Sequence, residues 1–364
     1  MLHTASGFHT FTVFKSLSEQ ETVRLLKDFK KYRRETGRTE ISPTDDIKKS
    51  YRVYYPNENK GIHWLIRLCT EQRGFNSYTI SATINPKILG GITDYISAAA
   101  QEDLLAAEEA FNLDARKISR VLGRFSSFQP NRIDYCINFD LKELGIECSP
   151  EQMISLIKSS NIPPHFKERM VYDSSSHRMK SDESSFYLMS NSVTINCYYK
   201  HVQLHRNFPD CPNIEDSHNV IRFEVQCKYI KTYHMKHKLM KNPYELTGCI
   251  TRDMLSDDIS RKIINDYFRR IIMRGDYYTL QGAKDKVKAH SFRKSKESRL
   301  VWALTLINES RGISNAKEKL SDNEQEDFIK AMRELEDIGV NPVTIPKSWG
   351  IAKISGLLES YNTE

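Results

Sequence analysis

The chain has 364 residues, 39% hydrophobic and 28% charged, with a formal net charge of +7, which suits a globular protein with core enough for one large domain or two smaller ones. No apolar run approaches the roughly 18 residues that span a bilayer, and the opening MLHTASGFHTFTVFKSLSEQ lacks a basic region followed by an apolar one, so neither a membrane span nor a secretory signal is expected. Seven cysteines, an odd number without a CxxC pair, argue against a disulfide scaffold or a cysteine zinc site and for reduced thiols in a cytoplasmic protein.

In chain order, residues 8–15 (FHTFTVFK) are predicted as a strand. An amphipathic helix follows over 18–36, with Ser18 as its cap, Glu21 at the capping-box position and Val23, Leu25, Leu26 and Phe29 on its apolar side. Strands are predicted near 50–55, 62–69 and 76–85, the last ended by Pro86 and Gly90-Gly91. Residues 92–122 carry Ala-rich helical patterning, with a break expected near Asn112. A strand at 131–140 comes next, then a helix opened by Pro150 at its first position. Residues 161–185 are expected to form a long polar loop. A hairpin pairs 185–190 with 193–200, and 220–228 forms another strand. Helices dominate thereafter. The fold class is thus α+β: a central, mainly antiparallel sheet with flanking helices and a smaller helical C-terminal region. The division is placed at 245/246, giving regions 1–245 and 246–364.

Charge is unevenly spread. Residues 1–221 carry 28 basic and 27 acidic side chains, 222–299 carry 19 and 9, and 300–364 carry 7 and 11. A polyanion would bind the middle segment. Lys286, Lys288, Arg293 and Lys294, in the run QGAKDKVKAHSFRKSKESR, are expected to touch DNA phosphates.

Three strands alternate in the same way. In 131–140, Ile133, Tyr135, Ile137 and Phe139 share one face, and Arg132, Asp134, Cys136, Asn138 and Asp140 the other. In 220–228, Phe223, Val225 and Cys227 oppose Arg222, Glu224, Gln226 and Lys228. In 193–200, Thr194, Asn196, Tyr198 and Lys200 oppose Val193, Ile195, Cys197 and Tyr199. If the strands are neighbours, their polar faces bring together carboxylates, arginines, lysines and a tyrosine. Mg²⁺ or Mn²⁺ is held by one or two carboxylates with water and substrate phosphate. A phenol becomes a competent nucleophile beside a cation, and Arg or Lys can offset charge on a phosphoryl group. That set fits transesterification of a DNA strand onto tyrosine. The same residues also fit cross-strand ion pairs on a structural sheet, and the residues alone leave both readings open.

The order INPKIL (84–89), NRIDYCINFD (131–140), TINCYYKHVQL (194–204) and VIRFEVQCK (220–228) resembles the Rep-trans rolling-circle replication initiators of small Gram-positive plasmids and the related relaxases of conjugative transposons. The likeness covers about residues 76–230. It implies that Tyr198 is the nicking nucleophile and that Asp134 and Glu224 hold Mg²⁺ or Mn²⁺. Gln226 stands where family members often have a second acid and Thr83 where they can carry one, so Asp140 and Gln226 are the further candidates to complete the metal set. Arg132, Lys200, Arg222 and Lys228 would contact DNA phosphates. The region 1–245 would be the nicking domain, and origin DNA, a host helicase and a second copy of the chain are the implied partners.

No His-x-His pair occurs; His201 with His205 and His234 with His237 are spaced for helix faces and are read as surface or nucleic-acid contacts. A GxxxxGK[ST] loop is absent, so a separate helicase would be needed. The alternative function is a non-enzymatic DNA-binding protein of a mobile element. The tail beyond 320 is expected to be helical, as a helix-turn-helix-like or packing unit.

Overall fold

The computed structural model describes residues 6–36, 40–43, 50–54, 60–70, 76–173, 178–180, 182, 184–242 and 246–357. In order, β1 (Gly7–Leu17) leads to α1 (Glu19–Thr36), then to β2 (Glu40–Pro43), β3 (Ser50–Tyr54), β4 (Ile62–Thr70) and β5 (Asn76–Ile84). Next come α2 (Pro86–Leu89), α3 (Gln101–Ile118), β6 (Gln129–Asp140) and α4 (Pro150–Lys158). Short strands β7 (Lys167–Glu168), β8 (Val171–Asp173) and β9 (Arg178–Lys180) precede β10 (Ser185–Met189), β11 (Val193–Tyr199), α5 (Lys200–Asn207) and β12 (Val220–Cys227). The remainder holds α6 (Tyr229–Leu239), α7 (Ile250–Met254), α8 (Asp257–Ile271), β13 (Tyr277–Tyr278), α9 (Leu280–Ala289), α10 (Lys294–Ser310), α11 (Ile313–Lys317), α12 (Asp322–Asp337) and β14 (Lys353–Ile354).

The fold is α+β. Ten strands form one sheet in the order β2-β3-β4-β5-β1-β6-β12-β11-β10-β7, with every neighbouring pair antiparallel. Alternation decides its two faces. Trp64, Ala82, Val13, Phe11, Ile133, Cys227 and Val193 fall on one side, and all are buried. Over one half, Phe111 of α3 packs on Trp64 with ring centroids 5.2 Å apart. Over the other, Phe268 of α8 packs on Phe139 and Phe223 at 5.3 and 5.0 Å. Tyr135 donates from its hydroxyl to the Met254 carbonyl of α7 at 2.7 Å, which satisfies the polar end of an otherwise apolar ring. The sheet's core therefore takes in residues on both sides of the 245/246 division.

Several local signals act as expected. Ser18 and Glu21 form reciprocal bonds at the start of α1, and Ser149 with Pro150 opens α4. Strand β5 ends at Ile84, before Pro86, as expected; the short α2 that follows, with Asn85 accepting the Ile88 amide and Pro86 in first position, is not predicted from the sequence. Other expectations fail. The helix predicted over 92–122 spans only Gln101–Ile118 and does not break at Asn112. Asn112 instead accepts the Phe125 amide at 2.8 Å, a tertiary bond that makes a weak helix former useful inside the helix. Residues 161–185 are not a plain loop, since β7 to β9 lie within them. Lys200 begins α5 rather than ending the preceding strand.

The C-terminal region is α9 to α12 around the small β13–β14 pair, with Leu300, Leu304 and Ile307 of α10 buried and Trp302 against Phe328 of α12. The six described cysteines are unbridged. Among the described residues no helix is long and apolar enough to cross a membrane.

Candidate active site

The polar face of β1, β6, β12 and β11 holds most of the sequence-selected residues. The register places Gln226 opposite Asp134, Glu224 opposite Cys136 and Arg222 opposite Asn138. On the other side of β12, Asn196 opposes Glu224 and Tyr198 opposes Arg222. A bulge in β1 adds a residue that alternation cannot foresee. Phe8 and Phe11 both stay on the apolar side, opposite Tyr135 and Ile133, so His9 and Thr10 between them both turn to the polar face.

Thr10 Oγ1 donates to Asp134 Oδ2 at 2.5 Å, and Arg132 Nη2 donates to the same oxygen at 2.8 Å. His9 Nδ1 lies 3.2 Å from Glu224 Oε2, and Gln226 Nε2 donates to Glu224 Oε1 at 2.8 Å. Asp134 and Glu224 are almost fully buried, at 1% and 3% exposure. Burial first, then the Glu224 charge, push the Asp134 carboxyl up to about 7, against Arg132 and Thr10. Burial would also raise Glu224, but the His9 bond, the His9 and Arg222 charges and the Gln226 amide outweigh it and hold that carboxyl at about 2. Burial is the largest cause holding His9 down, to about 4, although a quarter of its side chain is exposed. At neutral pH a neutral His9 thus donates Nδ1–H to an ionised Glu224, which leaves its Nε2 with a lone pair.

A crossing segment closes one end of this face. Asp94 accepts from the Ser97 hydroxyl, pairs with Lys87 at 2.9 Å and accepts from the Ile96 and Ser97 amides; those bonds, the Ser97 hydroxyl first, hold its carboxyl well below the usual range in spite of burial. Lys87 comes from the INPKIL stretch, so that motif anchors the crossing. Gly7 is required here, because a Cβ would run into the Ala99 carbonyl that pairs with Phe8. The Ile96 carbonyl accepts from Asn138 Nδ2 at 2.7 Å and from Arg222 Nη2, while Arg222 Nε donates to Asn138 at 2.8 Å. Arg222 is 0% exposed. It is a clamp between sheet and crossing segment, with Nη1 left without a hydrogen-bond partner, and its burial argues against the phosphate contact that the resemblance implies.

Tyr198 is buried, at 7% exposure, and lines a cavity of about 460 Å³ with Arg169, Tyr187, Asn196 and Arg206. Burial, then Glu224, push its hydroxyl well above the ordinary phenol range. Lys200 Nζ lies 5.9 Å from the Tyr198 ring centroid and donates to Gln203 at 2.8 Å. Lys200 is 1% exposed, and burial followed by the Arg222 charge hold its amine well below the usual lysine range. Its burial likewise argues against the phosphate contact that the resemblance implies. From strand spacing, Tyr198 is a diagonal neighbour of Glu224, about 7–8 Å away between backbones. It lies on the order of 15 Å from Asp134, two strands and four residues off.

The other selected residues divide. Arg132 is partly exposed beside Asp134. Lys228 donates to the Ser190 carbonyl at 2.7 Å and stabilises the hairpin turn. Asp140 sits six residues along β6, about 20 Å from Asp134, where it accepts from the Lys142 and Glu143 amides. It is a turn cap and does not join the carboxylates. Thr83 bonds Thr12 at 3.0 Å on the same face. Lys286, Lys288, Arg293 and Lys294 are exposed on α9, α10 and the turn between them, away from the sheet's polar face. His201 is buried and bonds His205, whereas His234 and His237 are exposed. His9, Thr10, Arg169 and Arg206 are not found by sequence reasoning. The only sequence signal for the first two is a polar pair flanked by phenylalanines, F-H-T-F, which suggests a bulge once the strand is known.

Asp134 Oδ1 is buried with no hydrogen-bond partner. An orphaned carboxylate oxygen beside a second carboxylate fits a hard divalent cation that keeps water and substrate oxygens. It does not fit an all-protein cage: among the described residues no three His, Cys, Asp or Glu side chains are grouped to hold a metal ion.

No family model and no curated protein matches the chain. Two solved structures are similar to it in part. The rolling circle replication initiator protein from Geobacillus stearothermophilus is 9% identical, with 74% of this chain and 86% of that chain covered at a TM-score of 0.36. The di-domain ARO/CYC StfQ from the steffimycin biosynthetic pathway is 7% identical, with 70% and 91% covered at a TM-score of 0.18. Both likenesses are too loose to carry the fold or the chemistry, and the site stands on its own geometry.

Proposed function

We propose that the protein is a metal-dependent DNA nicking and strand-transfer enzyme that starts rolling-circle replication or conjugative transfer of a plasmid, phage or other mobile element. The observation that carries the reading is one sheet face on which two buried carboxylates, one with an orphaned oxygen, share a row with a buried tyrosine and a buried guanidinium. Asp134 and Glu224, with water and substrate oxygens, would hold Mg²⁺ or Mn²⁺, which when bound supplies Lewis-acid polarisation of a phosphodiester oxygen; His9 would hold Glu224 in place.

The chain's own residues perform the transfer. Tyr198 Oη attacks phosphorus, the bond from phosphorus to the 3′ oxygen breaks, and the products are a 5′-phosphotyrosyl link and a free 3′-OH. The phenol is a weak nucleophile at its raised pKa, so its proton must leave as the bond forms. Lys200, whose Nζ lies 5.9 Å from the Tyr198 ring centroid, is the base we assign to that proton, and it returns the proton to the departing 3′ oxygen. Arg169 and Arg206 in the Tyr198 cavity suit flanking phosphates. Origin DNA, a host helicase and a second copy of the chain are the partners this reading implies, in the cytoplasm.

The test is incubation with supercoiled plasmid or labelled single-stranded origin DNA and Mn²⁺. A covalent protein–DNA adduct is expected, absent with EDTA and in Tyr198→Phe and retained in Tyr199→Phe. An adduct that persists in Tyr198→Phe refutes the assignment. A second reading, a DNA-binding protein that uses the sheet structurally, is favoured by the backbone distance between Tyr198 and Asp134. It expects metal-independent binding, unaltered in Asp134→Ala and Glu224→Ala apart from stability.

A further inference from the structure

Helix α6 leaves β12 directly beside the carboxylates and turns its usual amphipathic logic outward. Thr232 is buried, bonding the Asn131 carbonyl at 3.1 Å, and Met235 and Leu239 pack on the core. The opposite side carries Tyr229 and Tyr233 at 50% and 46% exposure, with His237 also exposed. These three recur every four residues, so they form one stripe with a step of about 6 Å along the axis. Their rings touch in series. Tyr229 and Tyr233 have centroids 6.1 Å apart, and Tyr233 and His237 4.3 Å apart. At its N-terminal end the stripe continues onto the sheet, where Phe14 of β1 meets Tyr229 at 6.1 Å and 73°. Phe14 is two residues beyond Thr12, which pairs with Arg132 in the register. The row of rings therefore starts at the edge of the face that holds Asp134.

Its charge is one-sided. Residues 228–241 contain five lysines, two histidines and no acid. Lys228 and Lys236 are tied to neighbouring groups and Lys231 lies over the Tyr267 ring, while Lys238 and Lys241 are exposed. An exposed aromatic stripe on a neutral or acidic helix would fit a protein partner. Aromatic rings at regular steps, flanked by cations with no acid among them and by the exposed Ile230 and Met240, match a polyanion whose bases are free to stack, because every base has a π-face and the phosphates meet the lysines. A duplex keeps its bases stacked internally and offers the rings nothing.

We propose that α6 is a stacking platform for single-stranded nucleic acid, with Tyr229, Tyr233 and His237 receiving successive bases of the strand that enters or leaves the acid-bearing face. The proposal extends the nicking reading by giving that strand a path, and its test is independent of strand cutting. The full chain is titrated, in EDTA so that no cleavage intervenes, against fluorescein-labelled oligothymidylate of about 16 nucleotides, within the range of known single-strand sites. A duplex of equal length is the control.

Tyr229→Ala with Tyr233→Ala should weaken oligothymidylate binding about 10- to 100-fold, the scale of losing one or two stacked bases, and leave duplex binding within about twofold. Tyr229→Phe with Tyr233→Phe should retain single-strand affinity, since the ring face is kept. Both side chains are half exposed, so the variants should fold, which circular dichroism checks. Unchanged oligothymidylate affinity overturns the platform, and so does an equal loss for single strand and duplex. A wild-type dimer in sedimentation that the alanine pair converts to monomer would overturn it in favour of a second copy as occupant. If the platform fails while the Tyr198 adduct still forms, only the path is lost. If the adduct fails while the tyrosines still govern single-strand binding, the platform stands without the nickase.

Discussion

The charges of the sheet's polar face and those of α9 and α10 share a composition and differ in every physical respect. Arg222 and Lys200 are buried, hydrogen-bonded and fixed in position. Lys286, Lys288, Arg293 and Lys294 are exposed on helix surfaces and a turn. Their hydrogen bonds to Asn138, the Ile96 carbonyl and Gln203 hold these side chains to one geometry, which suits chemistry at one atom. An exposed lysine is hydrated and mobile, which suits a phosphate backbone met at many positions and gives affinity that falls with salt. Sequence alone puts both sets in a single class of phosphate contacts. Under the proposed function, the difference is between parts that would define where a reaction occurs and parts that would keep the DNA nearby.

This division of labour is tested most severely at Tyr198. Tyr198→Phe should reduce adduct formation at least about 10³-fold, while binding of intact DNA and its salt dependence stay as in the parent. A parallel loss of binding would mean that the buried set also supplies affinity.

Arg222→Ala should destabilise the fold by about 3 kcal/mol or more, because it empties a buried site and leaves Asn138 and the Ile96 carbonyl short of donors. Lys288→Ala should change stability by less than about 0.5 kcal/mol. Urea unfolding of the two variants measures both, and similar values would erase the distinction.

Replacing Lys286, Lys288, Arg293 and Lys294 together by alanine should weaken DNA binding by about 10- to 100-fold at moderate salt. The slope of log affinity against log salt should flatten by up to about 0.9 for each phosphate that is no longer neutralised. Adduct formation at saturating DNA should persist. An unchanged slope would remove this segment from the interface.

A further effect concerns pH. Asp134 has a folded pKa of about 7 against about 3.9 in an unfolded chain. Its contribution to stability is therefore fully present below about pH 4 and is lost as the pH rises through about 7. Asp134→Asn does not titrate, so its melting temperature relative to the parent should rise by a few °C between those limits and level off above. A differential scan series in chelator reads this, and a flat difference would mean that Asp134 is not strained by Glu224 and burial.

Much of the molecule is legible in the sequence because it depends on neighbours close along the chain. Alternation in 131–140, 193–200 and 220–228 assigns each side chain to its face, and it separates Tyr198 from Tyr199 correctly as to face. Local capping places α1 and α4. The break expected at Asn112 fails because its partner, the Phe125 amide, lies outside the local window. What only the tertiary structure decides are the meetings between distant segments. The bulge in β1 brings His9 to Glu224 across 215 positions of sequence. The crossing segment at Ile96 converts Arg222 from a surface cation into a buried clamp. Strand register sets Asp140 about 20 Å from Asp134, as a turn cap. Period and caps are written in a few adjacent residues, whereas depth, register and the partner of a buried charge depend on which segments pack together, and no local pattern carries that information.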